Sequence, residues 1–116
     1  MHELSIAAAV VEQAGQIAAR EGAERVVAIT VSVGSLSGVD PEALGFAFPF
    51  AAEGTVAGNA RLSVEPVPAQ LRCRACQNEW SPDDPVFVCA ACGGTDVELL
   101  AGRELNIRTV ELAFGG

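Results

Sequence analysis

Apolar side chains recur at helical spacing near the start of the chain. They occupy every third or fourth position, at Leu4, Ala7, Ala8, Val11, Ala14 and Ala18, and Val10 and Ile17 widen the stripe. This pattern predicts an amphipathic helix over residues 4–21, and Gly22 provides a stop at its C-terminal end. The stripe indicates packing against a core rather than a cofactor site.

Beyond residue 24 the apolar period shortens to two, which is typical of β-strands. Residues 25–33 form the first predicted strand, and one of its faces should carry Val27, Ile29, Val31 and Val33. Residues 61–67 form the second, with Leu62 and Val64 pointing inward and Pro66 at an edge or at the exit from the sheet.

A third strand is predicted over residues 104–112, although its alternation is interrupted. Leu105 and Ile107 face one way, and Val110 and Leu112 face the other. A β-bulge near residues 108–109 would bring all four apolar side chains to the same face.

A second helix is predicted to begin at the sequence Asp40-Pro41-Glu42. Aspartate is a good N-cap, proline suits the first helical position, and an acid is favourable in the first turn. The buried side should carry Leu44, Phe48 and Ala51 or Ala52, helped by Phe46 and Phe50. Pro49 removes an amide hydrogen bond to Gly45, so we expect a kink or an early end there.

These elements predict an α+β fold with a small mixed three-stranded sheet and two helices. A four-cysteine, zinc-ribbon-like module is inserted between strands two and three, where a hairpin loop would otherwise lie. The expected division is an α/β domain of residues 1–67 and 103–116 and an insert of residues 69–101. A module of this size rarely folds without a metal.

The cysteines of the chain form two C-x-x-C pairs, at Cys73, Cys76, Cys89 and Cys92. Two such pairs can place four sulfurs at the corners of a tetrahedron, which is the geometry of a closed structural zinc site. Two disulfides, a tetrahedral iron or iron–sulfur site and a thioredoxin-type redox pair are the alternatives. A redox pair would need one C-x-x-C beside a strand–helix unit, whereas spacing alone does not exclude iron.

Composition narrows the classes of partner. The formal charge is −8, and the basic residues are seven scattered arginines with no lysine. Nucleic acid and anionic membranes are therefore unfavourable partners. The N-terminus lacks a basic signal-peptide region, and no stretch has the apolar length of a membrane span. We expect a cytoplasmic protein, in which thiols stay reduced and free to bind metal.

Enzymatic chemistry finds little support in the sequence. The single histidine lies at the terminus, the cysteines are assigned to metal, and there is no phosphate-binding glycine loop. The expectation is a protein that is not an enzyme.

The N-terminal tripeptide Met1-His2-Glu3 offers a different kind of metal site. With the initiator methionine retained, the α-amine, the His2 amide nitrogen and the His2 imidazole can form fused chelate rings in one plane. The fourth donor could be the Glu3 amide, the Glu3 carboxylate or Asp40, although Asp40 also has a sufficient role as a helix cap. Planar, nitrogen-rich ligation suits Ni(II) or Cu(II) better than zinc.

Several of these segments together resemble the HypA/HybF family of nickel metallochaperones, which act in nickel–iron hydrogenase maturation. The resemblance runs along nearly the whole chain and is carried by residues 1–5, 33–42, 44–48, 54–55 and 102–105 and by the four cysteines. Residues Gln77-Asn78 depart from the family pattern, since a glycine often follows the first cysteine pair. The first pair is therefore expected to turn differently.

The resemblance implies transported Ni(II) at Met1, His2 and Glu3, and structural Zn(II) at the four cysteines. It also implies as partners a HypB-type nickel GTPase and the hydrogenase large-subunit precursor, and some relatives serve urease maturation. The alternative hypotheses are a zinc-ribbon interaction adaptor that transports no metal, and a redox or iron protein that uses the thiolates.

Overall fold

The computed structural model describes residues 3–82 and 87–115 of the chain. In chain order the elements are α1 (Glu3–Glu21), β1 (Arg25–Gly34), α2 (Pro41–Ala52), β2 (Arg61–Val67), β3 (Gln70–Cys73), β4 (Glu79–Trp80), β5 (Val97–Ala101) and β6 (Leu105–Ala113). The predicted α+β class is confirmed, and each predicted helix and strand is present, with α1 and the three predicted strands within about one residue of their expected bounds.

β1 is the central strand of the larger sheet, whose order is β2-β1-β6. β2 runs parallel to β1, and β6 runs antiparallel to it on the other side. The sheet is therefore mixed, as predicted. The inserted module does not occupy a hairpin loop, however, because the two strands that flank it in sequence are separated in space by β1.

Both helices pack on this sheet and on each other around one core. α1 contributes its small apolar stripe, β1 contributes the largest fully buried side chain, Ile29, and α2 contributes Leu44, Phe48 and Ala52. Ala7 and Ala14 of α1 are completely buried, so the short side chains of this helix allow close approach to its neighbours.

Two β-bulges set which side chains face the core. Thr30 pairs with Thr109 and Val31 pairs with Ile107, so Arg108 is an extra residue on β6, and the predicted bulge is confirmed. A second bulge, at Val27 on β1, was not expected. It reverses the side-chain alternation, so Val26 is buried at 1% exposure and Val27 is only half-buried. The prediction that Val27 shares a face with Ile29 is therefore wrong.

α2 continues through Pro49 and ends at Ala52. The helix ends within one turn of the proline, and the Pro49 carbonyl accepts the closing hydrogen bond from the Glu53 amide. Leu44, Phe48 and Ala52 are buried as predicted, but Phe46 and Phe50 are exposed at 76% and 65%. Their expected contribution to the core is wrong, because they lie on the opposite side of the helix.

The insert forms a small antiparallel sheet of order β4-β3-β5. Arg72 of β3 donates two hydrogen bonds to the Glu98 carboxylate of β5, at 3.1 and 2.7 Å. These bonds lower the pKa of Glu98, and they fasten the strand that ends at Cys73. The whole chain is elongated, with principal extents of 60 × 25 × 15 Å.

Three backbone segments meet where the two sheets join: residues 34–36, 67–69 and 102–104. The Leu36 amide donates to the Gly102 carbonyl at 2.6 Å, and the Ser35 amide donates to the Val67 carbonyl at 2.9 Å. A Cβ at Gly34 would overlap the Gly102 carbonyl, so this approach requires glycine. We call this region the junction.

Candidate metal centre

The four cysteine sulfurs converge at one end of the insert, within 4.8 Å of one another. Cys73 ends β3, Cys76 follows in the turn, and Cys89 and Cys92 lie in the loop before β5. The Cys73–Cys92 and Cys76–Cys89 sulfur pairs are each 3.6 Å apart. Four sulfurs at about 2.3 Å from a central ion would be about 3.8 Å apart, so the arrangement fits a tetrahedral metal site.

Each cysteine pair is held by the same backbone turn. In the first hook, residues 73–78, the Gln77 amide donates to the Cys73 carbonyl at 2.8 Å, and the Cys73 amide donates to the Asn78 carbonyl at 2.8 Å. In the second hook, residues 89–94, Gly93 and Gly94 make the equivalent bonds with Cys89 at 2.7 and 2.9 Å.

The two hooks also share a left-handed residue at the same position. Gly93 has φ of 74°, and Gln77 has φ of 67°, a conformation that glycine adopts at lower cost. The expectation that the first hook turns differently is therefore wrong. The backbone hydrogen bonds of the turn hold Gln77 in this conformation, and its side-chain amide donates to the Arg74 carbonyl at 3.0 Å.

The sulfurs differ in exposure and in proton affinity. Cys73 and Cys89 are buried, whereas Cys76 and Cys92 are exposed. Burial opposes ionisation of Cys89, but hydrogen bonds from the Cys92 and Ala91 amides lower its pKa to about 6. The Gly94 amide favours ionised Cys92, but hydrogen bonding among the neighbouring thiols raises its pKa to about 12.

These opposed pKa values show how the cluster behaves as a donor set. Without a cation, Cys89 ionises readily while the raised pKa values of Cys76 and Cys92 keep these two thiols protonated, because several thiolates at this spacing repel one another. A divalent metal offsets that repulsion and allows four thiolates to coexist. The donor set is therefore suited to a soft or borderline cation such as zinc.

Met1 and His2, the central residues of the predicted nickel site, lie outside the described residues. Glu3 begins α1, and Asp40 caps α2 by accepting a hydrogen bond from the Glu42 amide at 3.0 Å through Oδ1. Both line one open cavity of about 480 Å³ between the helix starts, which we call the α1–α2 cavity. Its lining comprises Glu3, Leu4, Asp40, Glu42, Ala43 and Phe46.

The α1–α2 cavity brings together Glu3 and Asp40, which the sequence suggested only as alternative fourth donors of the N-terminal metal site. Glu3 and Asp40 are distant in the chain, and the packing of α1 against α2 places both at the start of α1. Glu42 and Phe46 also line this space, although the sequence assigned Glu42 only to the helix start and Phe46 to the core. The helical position of Phe46, opposite Leu44 and Phe48, was the available signal.

None of the helices among the described residues is both long enough and apolar enough to cross a membrane. The fold and the cluster thus define a small α+β protein with an inserted four-cysteine metal-binding module.

The chain belongs to the HypA family, whose model is described as hydrogenase/urease nickel incorporation metallochaperone and matches residues 1–112. The hydrogenase maturation factor HypA of Streptomyces avermitilis is 45% identical, with 99% of this chain and 89% of that protein aligned. The HypA of Geotalea daltonii is 42% identical, over 93% of this chain and 96% of that protein.

Solved structures share the fold at lower sequence identity. The solution structure of the nickel metallochaperone HypA from Helicobacter pylori has a TM-score of 0.70 at 24% identity, covering 99% of this chain and 100% of that one. A second solution structure of a HypA protein has a TM-score of 0.73 at 24% identity, over 97% and 96% of the two chains. The resemblance inferred from the sequence is confirmed.

Proposed function

We propose that the chain is a nickel metallochaperone that binds Ni(II) at Met1, His2 and Glu3 and delivers it for hydrogenase maturation. Membership of the HypA family supports the transported metal. The observation that supports this position is the α1–α2 cavity, an open space at the start of α1 that is lined by three carboxylates, those of Glu3, Asp40 and Glu42. Asp40 is the candidate fourth ligand, because Oδ1 serves the helix cap and Oδ2 accepts no hydrogen bond from the residues that the structure describes.

The four-cysteine cluster takes the structural role in this proposal. Four thiolates close the coordination of Zn(II), and no position is left for cargo or substrate. The 3.6 Å sulfur pairs support this assignment because they match a tetrahedral edge. The insert, residues 69–101, then folds as a metal-supported unit beside an α/β domain of residues 1–67 and 103–116.

Membership of the HypA family also supports the proposed partners and location. We assign a HypB-type nickel GTPase and the hydrogenase large-subunit precursor as partners, with urease maturation factors as further candidates. Cytoplasmic location suits reduced thiols, and metal transfer requires no catalysis by this chain.

Nickel titration of protein with a free native start tests the nickel site. His2→Ala, and residues appended before Met1, should each weaken Ni(II) binding at least about 100-fold, because the chelate loses its central donors. If both bind nickel as tightly as the parent, the terminal site is wrong. A protein with one zinc and no nickel binding would instead be the zinc-ribbon adaptor.

A conservative substitution separates the two roles of Asp40. Asn retains helix capping, so Asp40→Asn should leave stability nearly unchanged while weakening nickel binding about tenfold. Glu12→Gln, an exposed acid on α1, is the matched control for the loss of one charge. Equal nickel affinity in Asp40→Asn and the parent would exclude Asp40 as a ligand.

A further inference from the structure

α2 presents an aromatic pair to solvent. Phe46 and Phe50 are one helical turn apart, and their rings lie 5.9 Å apart between centroids at 48°. Both are largely exposed, while Leu44 and Phe48 on the other side of the helix are buried. Aromatic side chains are enriched at the centres of protein interfaces, and a contiguous exposed apolar surface commonly marks one.

This surface continues into the α1–α2 cavity. Phe46 lines the cavity, and so does Leu4 of α1, which is 54% exposed. At the other end of the pair, Phe50 and Pro49 line a second open depression together with Glu53. We call the surface formed by Leu4, Phe46, Pro49 and Phe50 the α2 patch.

The rim of the α2 patch is acidic. Glu3, Asp40 and Glu42 lie at its N-terminal end and Glu53 lies at its C-terminal end. Among the residues that the structure describes, no arginine lines either depression, and α2 itself contains no basic residue. An occupant must therefore bring apolar side chains and positive charge together.

Charge separates the classes of occupant. An anionic membrane would be repelled by the acidic rim and by the net charge of −8. A second copy joined by a two-fold axis would place the same acidic rim against itself, which disfavours self-association. A heterologous protein segment with a basic border remains, and an amphipathic helix with apolar residues at one-turn spacing matches the Phe46–Phe50 pair.

We propose that the α2 patch is the docking surface for a partner protein that presents an apolar helical face bordered by arginine or lysine. Phe46 and Phe50 are its central contacts, and the four acids select the basic border. The inference goes beyond the proposed metal transport, because docking requires no nickel. If the nickel site is correct, the docked partner lies beside the metal.

Two synthetic amphipathic helical peptides test the proposal without nickel. They share one leucine face, and the flanking positions are arginine in one and glutamate in the other. By fluorescence anisotropy, the parent chain should bind the arginine peptide at least about tenfold more tightly than the glutamate peptide. Added salt should weaken the arginine peptide's binding, since the rim is solvent-exposed.

Substitutions then locate the contact. The double variant Phe46→Ala with Phe50→Ala should bind the arginine peptide at least about tenfold more weakly, whereas Phe114→Ala should bind like the parent. Phe114 is 60% exposed at the C-terminal end and is the matched aromatic control. Glu42→Gln with Glu53→Gln should reduce both the peptide preference and the salt dependence.

Four results would overturn the proposal. They are equal affinity for the two peptides, binding of neither peptide, a double phenylalanine variant that binds like the parent, and a parent dimer that the double variant abolishes. The last would make the α2 patch a self-association surface. Nickel titration of the double variant separates the docking surface from the nickel site. Loss of peptide binding with unchanged nickel affinity would concern the docking surface and not the nickel site.

Discussion

Individual residues show where local rules suffice and where contacts override them. Asp40 was predicted as a helix cap from its neighbours alone, and its Oδ1 accepts the Glu42 amide as that rule requires. Gln77 was misjudged because its own preference opposes a left-handed φ, while the hydrogen bonds of the first hook impose one. Residue type predicts a conformation only when no stronger constraint acts on it.

Gly34 provides a residue-scale test of the junction. Gly34→Ala should lower the free energy of unfolding by about 3 kcal/mol, because the added Cβ overlaps the Gly102 carbonyl and two backbone segments must separate. Urea denaturation of the parent and the variant measures this loss.

Gly45 is the matched control for this substitution. It lies in α2 with open space around the position of a Cβ, so Gly45→Ala should raise stability by about 1 kcal/mol. If Gly34→Ala were as stable as the parent, the close approach at the junction would not exist in solution.

At the scale of elements, the spacing of apolar residues predicted the helices and strands of the α/β domain. It did not always predict which side chains of an element face the core. The Arg108 bulge could be predicted because apolar residues on both sides of it disagree in alternation. The Val27 bulge could not, because Val26 and Val27 are both valine and either satisfies the pattern. The predicted burial of Phe46 and Phe50 was wrong for a related reason. When a helix is apolar on several sides, the spacing of its apolar residues does not show which side packs against the core.

The Val27 bulge gives an element-scale prediction. Val26→Ser should lower the free energy of unfolding by about 2 kcal/mol, because it removes buried apolar surface and places a hydroxyl in the core. Val27→Ser should cost less than about 1 kcal/mol, since Val27 is only half-buried. Thermal or urea denaturation measures which of the two variants is less stable. If Val27→Ser were the less stable variant, the side chains of β1 would alternate without a bulge at Val27.

Metal removal should unfold the insert and leave the α/β sheet in place. Trp80, the only tryptophan, lies on β4 opposite Leu71, and the chain has no tyrosine, so fluorescence reports the insert alone. A chelator should shift Trp80 emission to longer wavelength while the circular dichroism of α1 and α2 persists. A simultaneous loss of both signals would show that the bound metal supports the whole fold.

The Cys76→Ser variant is the control for the chelator. Its Trp80 emission should already lie at longer wavelength, and added chelator should not shift it further. Lowering the pH should also shift Trp80 emission to longer wavelength, as the chelator does. The raised pKa of Cys92, about 12, means that metal must displace its proton at neutral pH, so binding weakens as pH falls.

At the scale of the whole molecule, the order of elements was predictable but their arrangement was not. Sequence neighbours usually pair, so a hairpin across the insert was the natural expectation. The strand order β2-β1-β6 excludes it, because β1 lies between the two strands that flank the insert. The radius of gyration of 17.8 Å, against about 13 Å for a compact domain of this size, shows that the insert extends away from the sheet.

This arrangement predicts that the α/β part folds without the insert. Val67 pairs with Gly34 and Leu105 pairs with Val33 on opposite sides of β1, so the two ends are about two strand spacings, or about 10 Å, apart. A glycine–serine linker of about eight residues can span that gap around the end of β1. A chain of residues 1–67 and 103–116 joined in this way should unfold cooperatively and bind Ni(II) like the parent.

Circular dichroism during urea denaturation and nickel titration measure the two expected properties. A linker of twice the length is the control, because it separates strain in the connection from a true requirement for the insert. If both shortened chains are unfolded, the two parts form one cooperative unit, and the junction hydrogen bonds hold the sheet as well as the module. If they fold but lose nickel, the insert supports the N-terminal site through residues 34–40, which run from the junction to the Asp40 cap.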